Sequence, residues 1–186
     1  MDRGNFKEET MRKILAAAAI MVLCGLFCAF GAELKAGDKA PDFKLPDSTG
    51  KVYSLASPEF QGKVLSVFYV DPDEKDLNAH VAEVLLKEPD LERNVRYTHL
   101  EIRNLKASKM PNFLIKSVVK NKQEKTGAVI LLDDTYTVLK KWGLKNHTSS
   151  LVILDKERIC RYVYNGKLPR AEVDKVLQII REYQAK

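Results

Sequence analysis

The side chains with chemistry to offer gather directly after the apolar run Val64–Val70. Asp71, Asp73, Glu74 and Asp76 follow it within a few residues. Carboxylates placed there have two uses. Hard oxygen ligands at alternating positions suit a calcium ion. Carboxylates at a helix start instead accept free backbone N–H groups and favour the positive end of the helix dipole. The calcium-loop pattern requires a bidentate glutamate where Ala82 stands, and a central glycine that is absent. Capping is therefore the expectation, with no metal and no cofactor.

Cys160 is the second candidate, since the other cysteines, Cys24 and Cys28, lie in the N-terminal apolar run. Arg158 and Arg161 beside it would favour a thiolate and thiol-dependent chemistry. Its place inside a strand pattern favours a small buried hydrophobe instead. His80, His99 and His147 have no metal-ligand spacing, and Ser149 beside His147 lacks a Gly-x-Ser-x-Gly setting. Lys116, Lys120, Lys122 and Lys125, with Lys140, Lys141 and Lys145, could offer a basic face to an anionic partner such as lipid or glycan. A solvated helix face is the expectation for them.

These residues need elements to hold them, and the pattern supplies an α/β order. Val64–Val70 is nearly all apolar and rich in β-branched and aromatic residues, as a strand buried on both faces is. Asp47–Lys51 is a turn ahead of a short strand, Val52–Leu55, and residues 33–45 read as an irregular lead-in. A helix over Lys75–Lys87 carries Leu77, Val81, Val84 and Leu85. A strand over Val95–Ile102 follows, then a helix from Pro111 with Phe113, Leu114, Ile115, Val118 and Val119. Ala128–Leu132 is a buried strand capped by Asp133-Asp134, and Thr135–Trp142 a short helix closed by Gly143. Leu151–Leu154 and Ile159–Tyr164 form a hairpin, and Pro169 opens a last helix striped by Val173, Val176, Leu177, Ile180 and Tyr183. This is one α/β domain over residues 33–186.

The composition bounds its setting. The chain has 186 residues, 45% apolar and 30% charged, with a net charge of +6. A mean hydropathy of −0.26 excludes a multi-span membrane protein. Arg12 and Lys13 precede an unbroken apolar run, Ile14–Phe30, and small residues at Ala29, Gly31 and Ala32. That pattern predicts a secretory signal over residues 1–32, with Met11 as a possible true start and an uncleaved anchor as the other reading. Neither Cys24 nor Cys28 follows a small residue, which argues against a lipoprotein. Export follows, with no nucleic-acid partner and no stable membrane insertion after cleavage.

Gly37-Asp38-Lys39-Ala40-Pro41-Asp42-Phe43-Lys44-Leu45, then Asp47-x-x-Gly50-Lys51 and Gly62-Lys63, resembles the opening of thioredoxin-like and peroxiredoxin domains. Lys141-Trp142-Gly143-Leu144 and Ser149-Ser150-Leu151-Val152-Ile153-Leu154-Asp155-Lys156 resemble their second half. A nearer resemblance is to the YtfJ-type family of small periplasmic proteins. Its members share a signal peptide, a cysteine-free first turn, an Asp-tipped strand before a Trp-containing helix, and Ser-Ser before a Leu-Asp-Lys hairpin.

The resemblance implies a thioredoxin-like fold: a central mixed sheet flanked by helices, ending in a hairpin and a helix. It aligns Asp73-Glu74-Lys75-Asp76 with the Cys-x-x-Cys of thioredoxins, and Ser149 with their cis-proline. An aspartate gains dipole stabilisation there but makes no mixed disulfide. The implied function is a non-redox binding or accessory module with no catalytic residue. Asp71, Asp73, Asp76 and Ser149 would form the surface equivalent to the thioredoxin active site, facing an exported protein or small ligand. The alternative is a thiol-dependent oxidoreductase or peroxidase-like enzyme using Cys160.

Overall fold

The computed structural model describes residues 33–186. The expected signal segment, residues 1–32, and the alternative start at Met11 lie outside the described residues. Among the described residues, seven strands and four α-helices follow in chain order. β1 (Leu45–Pro46) pairs with β2 (Val52–Tyr53) as a small antiparallel ladder. Next come β3 (Val64–Val70), α1 (Ala79–Lys87), β4 (Tyr97–Asn104), α2 (Asn112–Thr126), β5 (Val129–Asp133) and α3 (Thr137–Trp142). β6 (Ser150–Leu154), β7 (Cys160–Asn165) and α4 (Val173–Ala185) complete the domain.

The main sheet has the order β5-β4-β3-β6-β7. β3 runs parallel to β4 and antiparallel to β6, so its seven residues are all buried, as a strand flanked and covered on both sides requires. Leu65, Val67 and Tyr69 point to one face, with Leu100, Ile102, Leu131, Val152, Phe43 and Trp142. Val64, Phe68 and Val70 point to the other, against Val81 and Leu85 of α1 and Val173, Val176 and Ile180 of α4. α2 covers Ile130 and Leu132 with Ile115 and Val119. Residues 33–186 thus form an α/β/α sandwich around one mixed sheet.

The N-terminal lead-in is held by Trp142, which is fully buried. Its indole N–H donates to the Pro41 carbonyl at 2.8 Å, and Leu34 N donates to the Trp142 carbonyl at 3.0 Å. Gly143 closes α3 in the left-handed region, and a Cβ there would sit 2.6 Å from Glu33 Cα. Both facts demand glycine: the backbone sign of φ and the close approach of the lead-in.

Several boundaries differ from the sequence expectation: α3 begins at Thr137 rather than Thr135, β2 ends at Tyr53 rather than Leu55, and three others have a local cause. The first helix begins at Ala79 rather than Lys75, because Pro72–Glu74 forms a separate 3-10 turn. β4 starts two residues late, leaving Val95 exposed, since the chain turns through Asn94 in the left-handed region. Leu45–Pro46 is a strand and not irregular lead-in; two residues carry no readable period.

Candidate functional site

The carboxyl ends of β3, β4 and β5 lie together, the position where open α/β sheets present ligands. Asp71 ends β3 and is 2% exposed. Its Oδ1 accepts Asp73 N at 2.9 Å and so caps the Pro72–Glu74 turn. His147 Nδ1 lies 3.7 Å from Asp71 Oδ2. Ser149 Oγ donates to the Glu74 carbonyl at 3.3 Å.

Asp73 is not a helix cap. Its Oδ1 accepts the Ser108 hydroxyl at 2.8 Å and its Oδ2 the Lys109 N–H at 3.3 Å, so it clamps the loop between β4 and α2. Asp76 stands apart, beside a groove with Leu77, His80, Lys167 and Arg170. The start of α1 is instead secured by Asn78, whose amide donates to the Gly166 carbonyl at 2.9 Å and accepts Leu168 N at 2.8 Å. The expectation of capping carboxylates thus holds for Asp71 and gives way at Asp73 and Asp76, because the helix starts further on.

The expected surface is also narrower than four residues. Asp71 and Ser149 are enclosed, and Asp73 and Asp76 are exposed. The enclosed pair build the turn; the exposed pair face solvent. Among the described residues no group of three His, Cys, Asp or Glu side chains could hold a metal ion.

Asp133, at the end of β5, completes this end of the sheet. Its carboxylate accepts Thr137 N at 2.8 Å, Val138 N at 2.9 Å and the Tyr69 hydroxyl at 3.2 Å. Burial, then the Asp133 charge, push the Tyr69 hydroxyl far above its ordinary range. The sequence marked Asp133 only as a strand end; an aspartate between an apolar strand and a helix start was the available signal for its capping role.

Cys160 lies elsewhere. It opens β7 opposite Leu154, which pairs with Leu65, so it sits at the amino end of β3, remote from Asp71. It is fully buried in the cluster that contains Leu34, Phe43 and Trp142. The flanking arginines do not serve the thiol. Arg161 pairs with Asp155, Nη2 to Oδ2 at 2.6 Å, and Arg158 donates to backbone carbonyls.

A second concavity, of about 620 Å³, opens between α1 and α2 over β4. Its floor holds His99 and Glu101 where a central strand would ordinarily be apolar. Glu101 is 7% exposed and pairs with Arg103 and with Lys122, the latter at 2.8 Å. These two cations hold its carboxyl below the usual range despite burial, which opposes them. His99 Nδ1 is 3.3 Å from Ser66 Oγ, and its ring packs on Phe68 with centroids 4.8 Å apart.

Burial pushes the His99 imidazole down to about 4, with the Glu101 charge opposing. Its folded pKa lies below its unfolded value, so the neutral ring favours the native state near neutral pH. Below an unfolded pKa of about 6.5 the unfolded chain binds a proton that the native state refuses. Stability is therefore expected to fall by about 2 kcal/mol between pH 6.5 and pH 4, a figure discounted for the partly exposed ring. The slope should be absent in His99→Gln. Equal pH dependence in the two proteins, by urea melts across that range, would contradict it.

The order and register of the sheet, with the α1 turn at the end of β3 and the β6–β7 hairpin, define a thioredoxin-like fold. Solved structures of that class superpose on the chain. The thiol peroxidase from Chromobacterium violaceum matches with a TM-score of 0.59 at 15% identity, over 83% of this chain and 90% of its own. Peroxidoxin BcpB from Mycobacterium tuberculosis matches at 0.58 and 21%, over 81% and 98%. Identities this low speak to the fold alone. The chain belongs to the bacterial protein family of unknown function YtfJ_HI0045, whose profile matches residues 46–183. An uncharacterised protein from Haemophilus influenzae is 31% identical over 68 residues, a stretch that spans 37% of either chain.

Proposed function

We propose that this protein is an exported, periplasmic binding module without redox activity, built on a thioredoxin-like scaffold. One observation carries the reading. The turn that would present a nucleophilic thiol in a redox enzyme is here closed on its own carboxylates and on the β4–α2 loop, through Asp71, Asp73 and Ser149. These bonds stiffen a surface and leave no group able to form a mixed disulfide. The exposed parts of that end, Asp73 and Asp76 with the segment after β4, are what a partner meets. The thiol-enzyme alternative requires Cys160 to reach solvent, and its burial gives that reading no support.

The test is reduction of insulin by dithiothreitol, and removal of hydrogen peroxide, with the protein recovered from the periplasmic fraction. Intact mass reports whether residues 1–32 have been removed. Rates equal to those without protein are expected. Turnover at the rate of an authentic thioredoxin or peroxidase would overturn the proposal.

A further inference from the structure

The start of α2 is unusual in this molecule. Eight large hydrophobic side chains are exposed among the described residues, and four of them cluster here: Met110 (47%), Phe113 (69%), Leu114 (44%) and Val118 (65%). Leu114 and Val118 lie four residues apart on one face of α2 with Phe113 beside it, and Met110 stands just ahead of the helix, before Pro111. α2 buries only Ile115 and Val119, on its other side. The helix is apolar both inward and outward.

Charge is concentrated in the same place. Residues 106–123 hold five lysines and no aspartate or glutamate, in a chain whose whole net charge is +6. Some exposed lysines elsewhere pair with a neighbouring glutamate, as in Lys87–Glu83, Lys175–Glu172 and Lys186–Glu182, and in this segment Lys120 lies 3.9 Å from Glu124. Lys122 is taken by Glu101. Lys109 and Lys116 have no ion-pair partner among the described residues, and Lys106 lies over the Tyr136 ring. The segment is also held in place beforehand. Asp73 clamps Ser108 and Lys109, and Ser108 Oγ accepts Met110 N at 3.0 Å.

We infer that this face docks the protein on an anionic lipid surface. Apolar side chains on a convex helix, ringed by long lysines, match the acyl boundary below and the anionic headgroups around it. The other occupants fit less well. A second copy would bring the same unbalanced lysines together. A free anion or a nucleic-acid backbone would neutralise the lysines but leave Phe113 and Met110 in water. A peptide is ordinarily taken by a groove or a sheet edge, and this face is neither. The inference rests on the binding-module reading above and names what the module binds.

The test is cosedimentation of the exported protein with vesicles of phosphatidylcholine alone and of phosphatidylcholine with an equal part of phosphatidylglycerol. If residues 1–32 are retained, their apolar run contributes equally to both, so the charge-dependent difference is the readout. Binding is expected on the anionic vesicles and lost at high salt. At about fivefold per surface lysine, Lys109→Glu/Lys116→Glu should weaken it by on the order of 30-fold. Phe113→Ser should weaken it by roughly tenfold or more. Lys140→Glu/Lys145→Glu makes the same change in net charge on the opposite face of the sheet and should have little effect.

All these positions are exposed, and circular dichroism melts confirm that each variant folds. Equal binding to neutral and anionic vesicles, or equal losses in the two charge-reversed pairs, would overturn the inference. So would absent vesicle binding with Phe113-dependent binding of an amphipathic acidic peptide, which would make the face a protein dock. Insulin reduction by the same preparation would remove the binding-module reading instead. Failure on vesicles without reductase activity removes only the lipid assignment.

Discussion

Arg158→Met is expected to lower the melting temperature by roughly 10–15 °C, from a loss of about 4–5 kcal/mol. The guanidinium is 8% exposed and donates to the carbonyls of Leu55 (3.0 Å), Lys63 (2.8 Å), Asp155 (3.1 Å) and Phe60. One side chain therefore joins the β6–β7 turn to the whole connection between β2 and β3. Methionine keeps the volume and leaves the Leu55 and Lys63 carbonyls without this donor, each costing about 1–3 kcal/mol before water or relaxation recovers part, while the Phe60 and Asp155 carbonyls still accept the backbone N–H groups of Lys63 and residue 158. Residue 158 sits in the left-handed region in both proteins, so backbone strain largely cancels and the side chain is what is read. Arg96→Met is the control. Its pair with Glu92, at 3.4 Å, is about half exposed and should change stability by less than about 1 kcal/mol. A drop of only a few degrees in Arg158→Met would show that these carbonyls find other donors.

Cys160 in the native protein is expected to react with a thiol reagent at pH 8 roughly a thousandfold more slowly than in denaturant. Two causes act in the same direction. The sulfur is fully buried, so reagent reaches it only when the structure opens. Burial also pushes the thiol up to about 11, so little thiolate exists at that pH. The Sγ donates to the Tyr162 carbonyl at 3.5 Å within the same strand, a bond that suits the protonated form. Native reactivity within seconds would restore the thiol-enzyme reading, and with it a role for the arginines on either side. Reaction that tracks unfolding across a urea titration would place Cys160 with the core.

The two positions show where sequence reasoning stops. Arg158 and Arg161 flank Cys160 in the chain and suggested an electropositive setting for it. In a strand, alternate side chains leave on opposite faces, so Arg161 points away from Cys160 toward Asp155. Arg158 belongs to the turn, and its partners at Leu55, Phe60 and Lys63 are about a hundred residues earlier. No local pattern reports carbonyls that distant. Asp73 has the same history. Its position after the apolar strand suggested a helix cap, yet its partners Ser108 and Lys109 arrive from across the sheet. The lysines of α2 and α3 were legible as charge. Which of them face an apolar neighbour was not, because both sides of α2 carry hydrophobes and only packing tells which side is buried.

By itself the sequence determined the order of elements from β2 onward, the central buried strand, the helix end at Gly143, and the absence of a cysteine from the critical turn. Those features are local: periodicity, backbone sign and residue type act over a few positions and survive any arrangement of the rest. The tertiary structure alone decided that Asp73 is a clamp, that Arg158 is a buried hub and that Phe113 faces out. Each depends on contacts between segments far apart in the chain, which exist only once the sheet order β5-β4-β3-β6-β7 has brought those segments together.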